Sequence, residues 1–209
     1  MAGAGLTLGV LALLIITFVF PLFDGDLTVS SYTAVLNEDG TLSERYTYDV
    51  GSSGEYRMLY RIWESPLTHN TSTDPSIRFV SMTPERGTIG YVKDDRGDVT
   101  LYGTAAPGSS RSTIGNLAED NEVGIFNPAY YASGLYTAEY LYVISPPLEY
   151  DSTTTHLNLK LAGESHIPYR QVKVTIPARG IDQVYTYPPL MTTEKAGDSY
   201  IITGGLAAN

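Results

Sequence analysis

The sequence predicts an all-β fold, an antiparallel two-sheet sandwich of the immunoglobulin-like kind, preceded by a single N-terminal transmembrane helix. Three observations carry that expectation. Residues Met1–Phe23 hold no charged side chain, and the run Leu6–Phe23 supplies eighteen residues rich in Leu, Ile, Val and Phe. After Asp26 the chain alternates apolar and polar residues in short segments separated by Gly, Pro, Asn and Asp. No later stretch shows a sustained helical period.

The leader comes first. A helix rises about 1.5 Å per residue, so roughly 20 apolar residues cross the hydrocarbon core of a bilayer. The boundaries that follow are an anchor or signal at residues 1–25 and a β domain at 26–209, with an irregular insertion at about 103–134. A secretory signal carries a positive n-region and a small-residue cleavage motif. The first basic residue here is Arg45, and Pro21-Leu22-Phe23-Asp24 is a poor cleavage site. An uncleaved anchor is therefore expected, in contact with the bilayer through residues 2–23. The positive-inside rule has no flanking charges to count. Domain type and size place the domain on the extracytoplasmic side of a cell membrane, single-pass. Gly5 and Gly9 have the G-x-x-x-G spacing that lets two helices approach closely; the other reading is a leader simply rich in small residues.

The formal net charge is −10, with 23 acidic and 13 basic residues. Such a surface repels phosphate backbones, so nucleic acid is not an expected partner. There is no cysteine, which excludes disulfides, thiolate catalysis and thiolate-bound metals. Seventeen tyrosines stand against five phenylalanines and one tryptophan. Tyrosine suits strands and half-buried faces, either as the large core residue of a β domain or as a binding surface.

The strands follow in order. Leu27–Leu36 leads through the turn residues Asn37-Glu38-Asp39-Gly40 into Thr41–Val50. There Leu42, Tyr46, Tyr48 and Val50 share one face with Glu44, and Thr41, Ser43, Arg45, Thr47 and Asp49 take the other. Glu55–Trp63 places Tyr56, Met58, Tyr60 and Ile62 inward, with Arg57 and Arg61 opposite. Ile77–Met82 is short. Ile89–Lys93 and Val99–Tyr102 flank the turn Asp94–Asp98. Gly103–Gly134 lacks periodicity, and a structureless loop of that length is unusual in a compact domain; it holds short pieces, with a helical turn or two at Asn116–Glu122, or it is an embellishment. Leu135–Ile144 is apolar on both faces, as a central strand is. His156–Ala162, Tyr169–Ile176, Ile181–Tyr187 and Ser199–Thr203 complete about ten strands.

Two stretches carry a resemblance. The first runs through Gly40-Thr41-Leu42-Ser43-Glu44, Tyr48, Val50 and Tyr60-Arg61-Ile62. The second joins Tyr140 and Tyr142 to Leu157-Asn158-Leu159, Ile167-Pro168, Val172, Val174 and Ile176-Pro177. Over roughly residues 26–205 this order resembles the YciQ-like family of predicted membrane proteins. The resemblance implies an extracytoplasmic β-rich domain of unknown function behind a signal or anchor helix, followed by further membrane helices. It supplies no catalytic motif.

Few residues point to chemistry. His69, His156 and His166 lack the spacing of metal ligands. No nucleophile elbow, phosphate loop, dinucleotide fingerprint or calcium-binding loop is present. Asp94, Asp95 and Asp98 fit a solvated hairpin tip better than a cation site. No catalytic residue, cofactor or metal is expected. Glu44 admits two readings: a buried structural ion pair with Arg61, or Arg57, that fixes strand register, or an exposed carboxylate near a sheet edge. Asn70-Thr71-Ser72 is a glycosylation sequon that has meaning only on an exported domain.

The resulting expectation is a membrane-anchored extracytoplasmic domain, not an enzyme, that works by protein interaction or assembly. Its partner would be another membrane or envelope protein, or further copies of itself. Two alternatives are a subunit of a surface filament or layer with bundled leader helices, and an envelope glycan hydrolase using paired carboxylates.

Overall fold

A computed structural model describes residues 25–69, 76–103, 108–145, 148–150, 152–163, 166–187, 189 and 191–208. The expected leader helix, its Gly5/Gly9 spacing and the Asn70 sequon lie outside these residues. Among the described residues no helix is long and apolar enough to cross a membrane.

The chain is mostly β, in two principal sheets. In chain order the elements are β1 (Leu27–Leu36), β2 (Thr41–Val50), β3 (Met58–Ile62), β4 (Leu67–Thr68), β5 (Ser76–Thr83), β6 (Ile89–Lys93), β7 (Val99–Tyr102), α1 (Gly108–Leu117), β8 (Glu122–Phe126), β9 (Gly134–Ser145), β10 (Leu148–Tyr150), β11 (Thr155–Leu157), β12 (Tyr169–Pro177), β13 (Thr192–Ala196) and β14 (Ser199–Leu206). The large sheet has the order β13-β14-β12-β1-β2-β9-β5-β4, and the small one β3-β8-β6-β7. β10 and β11 form a separate hairpin.

The alternation read in β2 is the alternation observed. Leu42, Glu44, Tyr46, Tyr48 and Val50 are buried, and the intervening residues are partly or fully exposed. Its neighbours pair in long antiparallel registers, Leu27↔Val50 to Leu36↔Leu42 on one side and Thr41↔Val143 to Val50↔Gly134 on the other. The inner faces of both sheets meet in one core, which joins Leu42, Tyr46, Tyr142 and Val172 to Leu59, Trp63, Val92, Val123 and Ile125. Eight tyrosines are buried among the described residues: Tyr32, Tyr46, Tyr48, Tyr91, Tyr131, Tyr140, Tyr142 and Tyr169. Tyrosine is thus the large core residue of this domain.

Four features differ from the sequence expectation. The large sheet is mixed rather than purely antiparallel: β1 pairs β12 in parallel, and so does β4 with β5. The stretch 103–134 holds short pieces as expected, but its helix is α1, Gly108–Leu117 rather than Asn116–Glu122, and β8 is no embellishment: it lies inside the small sheet between β3 and β6. His156–Ala162 shortens to the three residues of β11. Ile181–Tyr187 joins no ladder; Tyr185 and Tyr187 on it are 81% and 96% exposed, and the edge of the large sheet is taken by β13 instead.

A third layer accounts for the place of β8. The outer face of the small sheet packs against α1 through Ile89, Tyr91, Phe126, Ile114 and Ala118, with Met58 alongside. The small sheet is therefore covered by the large sheet on one face and, over β6, β7 and β8, by the helix on the other; Tyr60 of the edge strand β3 is left exposed.

Candidate functional site

Glu44 stands on β2, opposite Ala34 of β1 and Tyr140 of β9. Period two drives its side chain into the core with Leu42 and Tyr46, and it is 2% exposed. A carboxylate there requires a partner. The partner comes from the other sheet: Arg61 Nη1 donates to Glu44 Oε1 at 2.5 Å, with side chains 4% and 0% exposed. Tyr32 Oη donates to the same oxygen at 2.6 Å. The Arg61 guanidinium also lies 3.3 Å from the centre of the Trp63 ring, a cation–π contact. Burial pushes the Glu44 carboxyl above the ordinary carboxylate range, and Arg61 and Tyr32 pull it back only in part. For Arg61, burial opposes the charge, but Glu44 outweighs it and keeps the guanidinium protonated.

The sequence placed Arg61 on the face away from the core, and the structure reverses this. Leu59 and Arg61 point into the sandwich, while Met58, Tyr60 and Ile62 take the opposite, helix-side face. The face expected to be inward is the outer one: Met58 packs beside the cluster under α1, while Tyr60 is 47% exposed. Arg57 does not reach Glu44; its guanidinium stacks over Phe126 and Tyr130, at 5.1 and 5.0 Å.

Tyrosine rings enclose the ion pair. Tyr46 lies 4.8 Å from Tyr32, 5.5 Å from Tyr48 and 5.8 Å from Tyr140, and Tyr142 lies 5.1 Å from Trp63. Glu44 Oε2, Arg61 Nε, Trp63 Nε1 and the hydroxyls of Tyr46, Tyr48, Tyr140 and Tyr142 are buried without a hydrogen bond of normal geometry. The Tyr142 hydroxyl still lies near enough to Glu44 to favour its charged form.

A second buried carboxylate escaped sequence reasoning. Glu122 opens β8 and is 1% exposed. Tyr91 Oη donates to its Oε1 at 2.5 Å, and the backbone N–H of Glu119 donates to its Oε2 at 2.9 Å. Burial raises its pKa to about 7, against the opposing pull of both hydrogen bonds and of Lys93. Lys93 Nζ reaches the carbonyls of Gly115 and Ala118 at the end of α1, and Asp120 at 3.3 Å. Gly124 makes room for the Tyr91 ring: a Cβ there would lie 2.6 Å from Tyr91 Oη and 2.7 Å from Leu59 O. A signal was available in Glu122-Val123-Gly124-Ile125-Phe126, a short apolar run opening on a lone acid, but such a run does not alternate.

The remaining candidates stay apart. Asp94 Oδ1 accepts from the backbone N–H groups of Arg96 and Asp98, at 3.0 and 2.9 Å, and so closes the hairpin turn. His69 meets Tyr102, His156 meets Thr154 and His166 meets the carbonyl of Ile167. Among the described residues no group of three His, Asp or Glu is placed to hold a metal ion. Two shallow surface clefts are lined by Trp63, Glu64, Ile77 and Lys160, and by Glu38, Arg179, Lys195 and Asp198; neither is lined by Glu44 or Glu122. What the buried groups do is join layers: Glu44–Arg61 the two sheets, Glu122–Tyr91–Lys93 the small sheet and the end of α1.

Comparison with known proteins adds the family. Residues 27–209 match the family described as "Predicted membrane protein (DUF2207) N-terminal domain". The chain belongs to the DUF2207 family. A membrane protein of unknown function is what the sequence resemblance implied, although the matched description does not carry the YciQ-like name. No curated protein matches this DUF2207 chain. Among solved structures it is similar to an M1 zinc metallopeptidase from Deinococcus radiodurans, at 11% identity and a TM-score of 0.40. A mutant of that metallopeptidase with a bound Tyr-Ser-Ala substrate gives 12% identity and a TM-score of 0.40. Each match covers 86% of this chain and 39% of the peptidase, so the DUF2207 chain spans well under half of those proteins. A likeness this distant carries no argument for fold or function.

Proposed function

We propose that this chain is a membrane-anchored extracytoplasmic domain whose work is non-enzymatic protein interaction or assembly. The observation that carries the reading is where the β domain begins and ends. Leu27 pairs with Val50, Val29 with Tyr169, and Tyr169 with Leu206. The first strand therefore starts, and the last strand finishes, at one pole of the large sheet. The apolar run Leu6–Phe23 leads directly to that pole, and the family is one of predicted membrane proteins. A domain held by one pole offers its other pole outward.

The outward pole carries the β1–β2 turn with Glu38 and the start of the segment after β12, which then runs back along the sheet toward β13. That segment is tied down by the Ala178 N–H to Asp198 O bond at 2.8 Å and by Tyr200 Oη to Ile181 O at 3.3 Å. It then presents Tyr185 and Tyr187 to solvent. Rigid, amphipathic tyrosines are enriched at protein interfaces. The partner is a second membrane or envelope protein, or another copy of this chain. The test is purification of the full chain in mild detergent beside a Tyr185→Ser/Tyr187→Ser variant. A stoichiometric complex that the variant loses, at unchanged stability, supports the reading; a complex equally retained contradicts it.

A further inference from the structure

The pole at which β1 begins is built from more than strand ends. Gly51 N–H donates to Asp26 O at 2.7 Å, Gly54 N–H to Tyr131 O at 2.9 Å, and Tyr131 N–H to Tyr56 O at 2.8 Å. Ser133 N–H donates to Ser53 Oγ at 2.8 Å. These bonds lock loops 51–57 and 127–133 together. Both loops continue past the level of Leu27, since Val50 and Gly134 are the residues in register with it.

Loop 127–133 has an unusual surface for an acidic protein. No charged residue occurs from Val123 to Ala138. Pro128, Ala129, Tyr130 and Ala132 are exposed, and nearby Leu135 is 64% exposed. Tyr130 adopts a positive φ of 63°, a conformation uncommon for a bulky residue and suited to turning a ring outward. Arg57 stacks on that ring at 5.0 Å, and its Nη2 donates to the Pro128 carbonyl of the same loop at 3.5 Å. Asp26 and Glu55 also lie at this pole, so an anionic surface would be met through loop 127–133 and Arg57 rather than through the whole pole.

The tether sets the distance. From Phe23 to Leu27 there are four peptide units, which span at most about 14 Å when fully extended. The headgroup layer itself is about 5–8 Å deep on each side of the hydrocarbon core. With the run ending at the hydrocarbon edge, Leu27 stands at most about 14 Å above it, and loops 51–57 and 127–133, which continue past Leu27, narrow the remaining gap to the headgroups. Tyrosine favours this interface, and arginine pairs with lipid phosphate there.

We propose that loop 127–133 rests in the headgroup layer of the bilayer that the apolar run enters, with the Tyr130 ring at the interface and Arg57 against lipid phosphate. The proposal rests on the anchor reading above. It gives the domain a fixed tilt, so that the far pole points away from the membrane instead of swinging on a tether.

The test uses the full chain in nanodiscs of phosphatidylcholine and phosphatidylglycerol, with and without brominated acyl chains. Tyr130→Trp and, as a second probe, Ala129→Trp report the loop. Glu38→Trp reports the far pole, and the buried Trp63 is the common background. Bromination is expected to quench the added indole of either loop variant at least twofold more than that of the Glu38→Trp variant. Equal quenching at both poles, in a chain that stays with the discs, overturns the docking and leaves the anchor standing. A chain that elutes apart from the discs overturns both.

Discussion

Arg61 Nη1 and Glu44 Oε1 meet at 2.5 Å across the interface between the two sheets, each side chain almost wholly withdrawn from water. They are seventeen residues apart in the chain but belong to different sheets. A buried pair of this kind adds little net stability over an apolar replacement, whereas a half-removed pair is costly. The contact's place between the sheets motivates the expectation that it sets how they align.

A double-mutant cycle tests that role. Glu44→Leu alone, which strands the Arg61 charge, is expected to cost about 3–5 kcal/mol, and Arg61→Met alone a similar amount. The double variant is expected to recover much of the loss, giving a coupling energy of at least about 1 kcal/mol. Urea denaturation measures all four proteins. Additive losses would show that the two residues act independently.

Gly124 is expected to be intolerant of even one methyl group. Its Cβ would fall 2.6 Å from Tyr91 Oη and 2.7 Å from the Leu59 carbonyl oxygen and Tyr60 Cβ. The backbone carbonyl cannot swing aside as a side chain can. Gly124→Ala should therefore destabilise by about 1–3 kcal/mol, the range of overpacked cores. A thermal melt superimposable on the parent's would contradict this packing.

Glu122 predicts a pH dependence with a definite sign. Its folded pKa of about 7 lies above the ordinary glutamate value of 4.5. The folded state then binds the extra proton between these values. That stability is fully present below about pH 4.5 and is lost as pH rises through about 7, by up to roughly 3 kcal/mol. Denaturation midpoints measured from pH 5 to pH 8 should fall along this limb. Glu122→Gln should flatten that limb, and an unchanged slope in the variant would assign the titration elsewhere.

Much of the fold was legible because one face of a strand was wet. β1, β2, β9, β12 and β14 alternate, β6 and β7 were marked instead by the turn between them, and the observed limits of all seven fall close to those expected. Glu44 was legible in part for the same reason: alternation put a carboxylate on the face of Leu42 and Tyr46, which left a buried ion pair and an exposed edge carboxylate as the two readings, and the structure shows the first. β8 was not legible, because a strand covered by the large sheet on one face and α1 on the other has no polar face to mark its period. The same hidden layer inverted Arg61. The parallel pairing of β1 with β12 left no local trace, since Val29 meets Tyr169, 140 positions further along the chain. Ile181–Tyr187 failed in the opposite way: apolar residues suggested a strand, but no free ladder position awaited it.

The central claim is that one pole of this domain is held at a membrane and the other faces away from the cytoplasm. The chain has no cysteine, so a single Glu38→Cys substitution in the β1–β2 turn places one thiol about 30 Å from the Leu27 pole, ten strand residues away. Intact cells expressing this variant are treated with a membrane-impermeant maleimide, and their membranes are then washed with alkaline carbonate. The expected result is a labelled chain that stays in the washed membrane. Labelling only after lysis, or release of the chain by the wash, would contradict the account.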